Sequence, residues 1–280
     1  MFRRVLIANR GEIALRILRS LRSLGIEGVV VHGREDRLTL PVRLADEGAF
    51  ISRDDPLASY LDIEAVVAAA KEVGADAVHP GYGFLAENAT LAERLAEEGI
   101  VFIGPSPDVL RLLGDKISAR EAMVKAGLPV AKGSGKPISD KSEALGMAEE
   151  IGYPLMLKAS WGGGGRGMRP IENESELEDK VREGRREAEA AFGNGEGYLE
   201  KMILRARHVE VQLLGDTHGG LYHLYERDCT VQRRNQKVVE RAPAPYLSEE
   251  QRAEICELGR KICAHVNYEC AGTVEFLMDM

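Results

Sequence analysis

The sequence has no apolar stretch that approaches the length of a membrane-spanning helix, so a membrane protein is not expected. It also lacks a surplus of positive charge. Its 37 Lys and Arg residues stand against 45 Asp and Glu residues, and a net charge of −8 argues against a broad nucleic-acid surface. With 44% hydrophobic residues and a mean hydropathy of −0.21, the 280-residue chain predicts a soluble protein of two or three domains.

Cysteine is scarce, and its spacing fits no metal motif. Cys256, Cys263 and Cys270 follow one another at intervals of seven residues and Cys229 stands alone, so no CxxC pair occurs. We therefore expect buried, reduced thiols in a cytoplasmic protein. The first apolar strand pattern begins by residue 4, which leaves no room for a signal peptide and favours the same location.

The first hundred residues alternate short apolar runs with amphipathic helical segments. The runs cover residues 5–8, 29–32, 77–79 and 101–104, and helical spacing follows at 13–24 and 63–73. This rhythm predicts an α/β fold with a doubly wound parallel sheet. Ligands of such sheets bind beyond the carboxyl ends of the strands, where the segments 9–12 and 79–83 fall.

A glycine run at residues 162–167 follows an apolar strand that ends at Lys158. Backbone without side chains can close over phosphate groups and direct N–H groups at them. The run satisfies G-x-G-x-x-G, but Pro170 follows at once, so the helix of a dinucleotide site is missing. Met168 follows Gly167 where a Walker A loop requires Lys. A phosphate flap and a flexible surface hairpin are the two remaining interpretations, and Lys158 favours the flap.

Several single residues have suitable chemistry for a nucleotide, although each also has an ordinary surface or structural explanation. Lys116 and Lys158 could supply charge to phosphates, and His208 and Gln232 could bind ribose hydroxyls. Residues 200–203 follow a strand, where backbone groups could meet an adenine edge. Glu275 offers the carboxylate oxygen that Mg²⁺ prefers. Apolar and polar residues alternate around it and along 208–213, which predicts two half-buried strands.

The motifs taken together strongly resemble the biotin carboxylase family. The resemblance follows the whole chain in order: LIANRGEIALRI at 6–17, HPGYGFLAEN at 79–88, FIGPS at 102–106, GDK at 114–116, KASWGGGGRGMR at 158–169, RHVEVQ at 207–212 and ERDCTVQRRNQKVVERAPAP at 226–245. At Trp161 and Asn235 the sequence is more similar to the pyruvate carboxylase branch of that family.

This resemblance implies a fold and its divisions. A Rossmann-like preATP-grasp domain would occupy residues 1–112, and an ATP-grasp domain would occupy 113–280. Within the latter, a small α+β lid would cover about 131–203, and an antiparallel C-terminal subdomain would begin at about 204 and be incomplete.

The resemblance also implies the site and the reaction. Lys237 would be catalytic, facing bicarbonate and the transferring phosphoryl group, and Glu275 would bind Mg²⁺ or Mn²⁺. The reaction would form carboxyphosphate from ATP and bicarbonate and then carboxylate biotin. The implied ATP-binding residues are Lys116, Lys158, Gly164, Gly165, Glu200, Lys201, Ile203, His208, Gln232 and Asn235.

The sequence departs from the family pattern by ending at Met280, before a second metal Glu and the bicarbonate and biotin residues. We therefore expect weak or absent turnover, exposure of Val274, Phe276 and Met278, and partners that supply a biotin carrier and a carboxyltransferase, with a homo-oligomer when complete. Neither nucleic acid nor membrane is expected as a partner. The alternatives are a non-catalytic nucleotide-binding or assembly module, a biotin carboxylase subunit of an acyl-CoA carboxylase, and, disfavoured by the missing fingerprint, a dinucleotide oxidoreductase.

Overall fold

The computed structural model describes residues 1–51, 56–138, 141–160 and 168–279. The chain divides into two compact units, Met1–Arg111 and Leu112–Met280. Within the described residues, no helix is both long enough and apolar enough to cross a bilayer.

The first unit contains a five-stranded parallel sheet in the order β3-β2-β1-β4-β5. The first strand, β1, is central: β2 and then β3 lie on one side of it, and β4 and then β5 lie on the other. The elements are β1 Arg4–Ile7, α1 Gly11–Ser23, β2 Glu27–His32, α2 Leu40–Leu44, β3 Glu47–Phe50, α3 Pro56–Ser59, α4 Ile63–Glu72, β4 Ala77–His79, α5 Ala89–Glu97, β5 Val101–Phe102 and α6 Pro107–Gly114.

Helices cover both faces of this sheet because successive strand side chains point to opposite sides. Val5 and Ile7 pack with α1, whereas Leu6 and Ala8 pack in the cluster that includes α4 and α5. The predicted doubly wound parallel sheet is confirmed.

At the carboxyl ends of the strands, Asn9 is buried and donates Nδ2 to Pro80 O (2.7 Å) and Tyr82 O (2.8 Å). Arg10 forms a two-bond pair with Asp36. These contacts join the segments that follow β1, β2 and β4.

The second unit begins with α7 and a three-stranded antiparallel sheet in the order β7-β6-β8. Leu155, Leu157 and Leu199 of this sheet share a core with α8 and α9. Charged residues fill the outer face of α9, which ends at Gly193 in the left-handed conformation (φ 69°). The elements are α7 Lys116–Lys125, α8 Lys141–Ile151, β6 Leu155–Ala159, β7 Arg169–Ile171, α9 Glu174–Phe192 and β8 Gly197–Lys201.

A four-stranded antiparallel sheet follows in the order β11-β10-β9-β12. Val209, Val211 and Leu213 face α10 and form the core of this layer, while the intervening residues of β9 face the other side. The elements are β9 Ala206–Gly215, β10 Leu221–Arg233, β11 Gln236–Arg241, α10 Glu249–His265 and β12 Cys270–Asp279.

The expected exposure of the apolar residues of β12 is wrong. Val274, Phe276 and Met278 are partly buried and pack against the cluster formed by β9 and α10. The alternation itself was correctly predicted, since Thr273, Glu275 and Leu277 occupy the exposed positions of the same strand. The helix α10 therefore already covers the apolar face of β12.

Candidate functional site

The three-stranded sheet holds an ion pair between Lys158 on β6 and Glu200 on β8. Lys158 lies opposite Tyr198 and Glu200 opposite Met156, so the two charged side chains are diagonal neighbours on one face of the sheet. The Lys158 ammonium donates to Glu200 Oε2, and both side chains are mostly buried. Two of the predicted ATP-binding residues therefore touch each other directly.

Lys116 reaches the end of the same strand from α7. Asp115 caps this helix by accepting from the backbone N–H groups of Ile117 and Ser118, which starts the helix directly after it. Lys116 Nζ lies 3.5 Å from Ala159 O, and its backbone N–H donates to Ser160 O (3.4 Å). The two lysines predicted to bind phosphate thus lie beside the strand end that precedes the glycine run.

The segment predicted to meet adenine is held by both its backbone and one side chain. Lys201 N–H donates to Lys132 O (2.7 Å), and its ammonium donates to Gly152 O (2.9 Å) and Tyr153 O (2.6 Å). Ile203 follows β8 in the irregular connection to β9 and is half-buried. The Lys201 ammonium therefore contacts the two residues that follow α8.

Gly164 and Gly165 lie outside the described residues, as does the whole segment 161–167. The phosphate-flap interpretation stays a prediction.

The second cluster is presented by the hairpin of β10 and β11. Arg233 pairs with Gln236, and the two residues between them have positive φ angles, 51° at Arg234 and 63° at Asn235. Positive φ at both central residues is the requirement of a type I′ turn, and Asn tolerates it well. Asn235 is exposed at this turn, and the hairpin brings Lys237 opposite Gln232.

Lys237 lies between two carboxylates of the sheet. Its ammonium donates to Glu210 of β9 and to Glu275 Oε1 of β12 (2.7 Å). Burial lowers the pKa of Lys237, but the two carboxylates outweigh it and raise the pKa above its ordinary value. The side chain therefore carries a full positive charge, and 28% of it is exposed.

Glu275 joins Lys237 to the residues predicted to bind ribose. His208 Nε2 lies 3.5 Å from Glu275 Oε1, and His208 Nδ1 contacts Gln232 Nε2 at 2.7 Å. His208 and Lys237 together lower the pKa of Glu275 to about 2, His208 contributing most and burial opposing the shift. The four predicted residues form one connected polar group on the exposed face of the sheet.

Asp228 supports this group from the α10 side of β10. Its carboxylate is buried and accepts from Thr230 N (3.1 Å), the Thr230 hydroxyl, Arg241 and Tyr246 Oη (3.0 Å). Thr230 Oγ1 in turn accepts from the His208 backbone N–H (3.1 Å). These bonds lower the pKa of Asp228 to about 2 although burial raises it.

Glu275 lies beside two other residues that carry potential metal-ligand atoms. His208, Glu210 and Glu275 offer ligand atoms that lie within 4.8 Å of one another. The Glu210 carboxylate is already held by Arg227 and Lys237, whereas both contacts of Glu275 use Oε1 and its side chain is 54% exposed. Glu275 therefore retains an accessible oxygen, and Mg²⁺ prefers carboxylate oxygen.

Glu210 and Arg227 are functional candidates that the sequence reasoning missed. Both belong to quoted motifs, and Glu210 was placed only in the polar row of a strand. Arg227 donates Nε to Glu210 Oε1 (2.7 Å) across the β9–β10 pairing. The available signal was a charged residue at a strand position flanked by Val209 and Val211, which places a carboxylate on a packed sheet and demands a cationic partner.

Two family models match the chain. Biotin carboxylase, N-terminal domain, matches residues 1–110, and carbamoyl-phosphate synthase L chain, ATP binding domain, matches residues 115–280. The two sheets of the second unit and the parallel sheet of the first therefore define an ATP-grasp protein with its preceding Rossmann-like domain.

Individual proteins of known function are similar to this chain over nearly its whole length. Biotin carboxylase of Pseudomonas aeruginosa is 51% identical over 280 residues, covering 100% of this chain and 62% of that protein. Pyruvate carboxylase of Staphylococcus aureus is 49% identical, covering 99% of this chain and 24% of that protein. The chain belongs to the biotin carboxylase family, as the motifs predicted.

A solved relative extends the likeness to three dimensions. The biotin carboxylase domain dimer of Hydrogenobacter thermophilus 2-oxoglutarate carboxylase, in complex with MgADP, ADP and bicarbonate, has a TM-score of 0.97 and 48% identity. The match covers 100% of this chain and 61% of the solved chain. The chain thus spans about three fifths of the length of the biotin carboxylase relatives and about a quarter of the length of pyruvate carboxylase.

Proposed function

We propose that the chain carries the nucleotide-binding half of a biotin carboxylase, which forms carboxyphosphate from ATP and bicarbonate and transfers the carboxyl group to biotin. The observation that carries this proposal is the position of Lys237. Its charged ammonium donates to Glu275, and Glu275 in turn contacts the His208–Gln232 pair. Family membership and the MgADP and bicarbonate named for the solved relative support the assignment of these ligands.

In this proposal the two sheets of the second unit bind different parts of the nucleotide. Lys116 and Lys158 bind phosphate oxygens together with Gly164 and Gly165, and the backbone at Glu200, Lys201 and Ile203 meets the adenine. His208 and Gln232, which contact each other at 2.7 Å, bind the ribose hydroxyls. Asn235 closes the hairpin side of the site.

Lys237 acts on the reacting groups. Its ammonium faces bicarbonate and the transferring phosphoryl group, where a fixed positive charge offsets the negative charge that develops on the oxygens. Glu275 would hold Mg²⁺ or Mn²⁺, which when bound would neutralise phosphate charge. Lys237 donates a hydrogen bond to Glu275, so the ammonium that would contact the substrate and the carboxylate that would bind the metal hold each other in position.

The partners are proposed from the same family. A biotin carrier domain brings the substrate biotin, a carboxyltransferase consumes the carboxylated product, and the complete protein is a homo-oligomer. Trp161 and Asn235 favour the pyruvate carboxylase branch, with an acyl-CoA carboxylase subunit as the alternative. The four free thiols favour a cytoplasmic location.

Single-turnover measurement tests the function. Excess protein is mixed with MgATP, bicarbonate and free biotin, and ADP is quantified with and without bicarbonate. Lys237→Met should lower the bicarbonate-dependent rate by roughly a hundredfold, the size typical of removing one charge-stabilising donor, while nucleotide affinity, followed by Trp161 fluorescence, should change little.

The matched control is Lys71→Met, which removes a surface lysine paired with Glu98 in the first unit. It should leave both readouts unchanged. Nucleotide binding without any bicarbonate-dependent ADP formation would favour the non-catalytic nucleotide-binding module, and equal rates for the parent and Lys237→Met would contradict the role of Lys237.

A further inference from the structure

The carboxylate of Glu210 is divided between two cations. Arg227 donates Nε to Oε1 at 2.7 Å and brings Nη2 to 2.5 Å from the same oxygen, whereas the Lys237 ammonium contacts Oε2. Only 4% of the Glu210 side chain is exposed. Each oxygen therefore has its own partner, and water contributes little to either.

Arg227 cannot easily swing away from this position. Its Nη1 donates to Gln212 Oε1 (3.0 Å), and Gln212 Nε2 donates to Gly272 O of β12 (2.9 Å). The guanidinium on β10 is thus linked to β9 by two side chains and, through Gln212, to β12. A planar group held from several sides keeps a fixed direction.

Arg227 and Lys237 are the two cations that contact the buried carboxylate of Glu210. Lys237 also contacts Glu275, and Arg227 Nε also lies 3.6 Å from the Glu240 carboxylate. A buried carboxylate requires a cationic partner, so without Arg227 the Lys237 ammonium would have to satisfy Glu210 alone.

We propose that Arg227 is a positioning residue: by holding Glu210 from the far side, it leaves Lys237 poised between Glu210 and Glu275 and able to meet an anion. This inference rests on the proposed function only in naming bicarbonate as that anion. Arg227 does not touch the substrate; it acts through Glu210.

The same sheet supplies a matched control for a purely structural role. On the opposite face of β10, the buried Glu226 pairs with Arg252 Nε at 2.9 Å. Arg252 and Arg227 are similarly shielded, with 22% and 27% of their side chains exposed. Loss of either arginine removes the partner of a buried carboxylate, but only Arg227 is connected to Lys237.

The experiment compares Arg227→Met, Arg227→Lys and Arg252→Met by ligand-free crystal structures and by bicarbonate titration at saturating nucleotide. In Arg227→Met, Lys237 should leave Glu275 and lie wholly on Glu210. The apparent affinity for bicarbonate should fall roughly tenfold, a coupling typical of contacting charged residues, with nucleotide affinity unchanged. Arg227→Lys should restore most of it, and Arg252→Met should resemble the parent.

An Arg227→Met structure that keeps the 2.7 Å contact between Lys237 and Glu275, or a bicarbonate affinity equal to that of the parent, would overturn the proposal. If Arg227→Met does not fold, Gln212→Leu replaces it, since it removes only one of the guanidinium's contacts; an unchanged Lys237 there would overturn the proposal equally. A moved Lys237 in a protein whose parent does not respond to bicarbonate would support positioning and refute the proposed function.

Discussion

Replacing Asp228 with Asn should make the free energy of unfolding less dependent on pH in the acidic range. The carboxylate of Asp228 is 1% exposed and accepts hydrogen bonds from Thr230, Arg241 and Tyr246. The isosteric amide keeps the shape and one acceptor oxygen but removes the negative charge that these donors stabilise. The change therefore isolates the charge from the packing.

The expected size follows from the pKa of Asp228. The bonds lower it from 3.8 to about 2 in the folded protein. Each pKa unit corresponds to about 1.4 kcal/mol, so the ionised carboxylate contributes roughly 2–3 kcal/mol to the free energy of unfolding at neutral pH. Because the folded pKa is depressed, this contribution is complete above the unfolded value, declines as the pH falls through about 4, and is lost near pH 2.

The assay is urea unfolding followed by circular dichroism at a series of pH values from 7 to 2. Asp228→Asn should lower the free energy of unfolding by roughly 2–3 kcal/mol at pH 7 and by little near pH 2. The control is Asp179→Asn, which removes an exposed carboxylate paired with Arg182 on α9 and should cost at most about 1 kcal/mol. A difference between the parent and Asp228→Asn that stays constant across the pH range would refute the reasoning, because it would show that packing and not charge carries the effect.

Four further changes test other parts of the structure. Gly215→Ala should destabilise the chain by roughly 1–3 kcal/mol in thermal unfolding, because a Cβ there would lie 2.2 Å from Tyr268 O. Gly146→Ala, in the exposed middle of α8 with no atom within 4 Å of the added carbon, should instead stabilise it by roughly 0.5–1 kcal/mol. Glu275→Gln should weaken Mn²⁺ binding at least about tenfold in electron paramagnetic resonance titrations, and unchanged binding would exclude Glu275 as a ligand. Tyr60→Phe removes the hydroxyl that donates to Asp36 (2.8 Å) and should lower the melting temperature through a loss of about 1 kcal/mol; an unchanged melting temperature would show that the Arg10–Asp36 pair alone fixes this loop.

The sequence contained enough information to predict several of the strands, because the hydrophobic period of a strand is local, whereas β3, β7, β10 and β11 were not predicted. Val209, Val211 and Leu213 alternate with polar residues, and the structure places them in the core. The short, continuous apolar runs of the first unit similarly predicted the strands of a parallel sheet. The family motifs then identified Lys237, His208 and Glu275 as candidates, although they lie on three different strands.

The contacts between those candidates could not be predicted, because they depend on strand register and on residues distant in the sequence. Glu210 and Arg227 are 17 positions apart, and nothing in their neighbourhoods indicates that they pair. Lys158 and Glu200 meet across a separation of 42 residues. The direction of the Lys201 side chain depends in the same way on where α8 ends, since its partners are Gly152 O and Tyr153 O.

The alternation along β9 explains why stability and the site cannot be separated in this sheet. His208, Glu210 and Gln212 face the polar group, while Val209, Val211 and Leu213 face α10. A slip of one residue in the pairing with β12 would exchange the two sets, moving three charged or polar side chains into the core. Because Glu210 reaches its partners only in the observed register, the ion pairs with Arg227 and Lys237 favour that register over its neighbours. The same residues that we assign to positioning the lysine therefore also help to specify the fold that presents it.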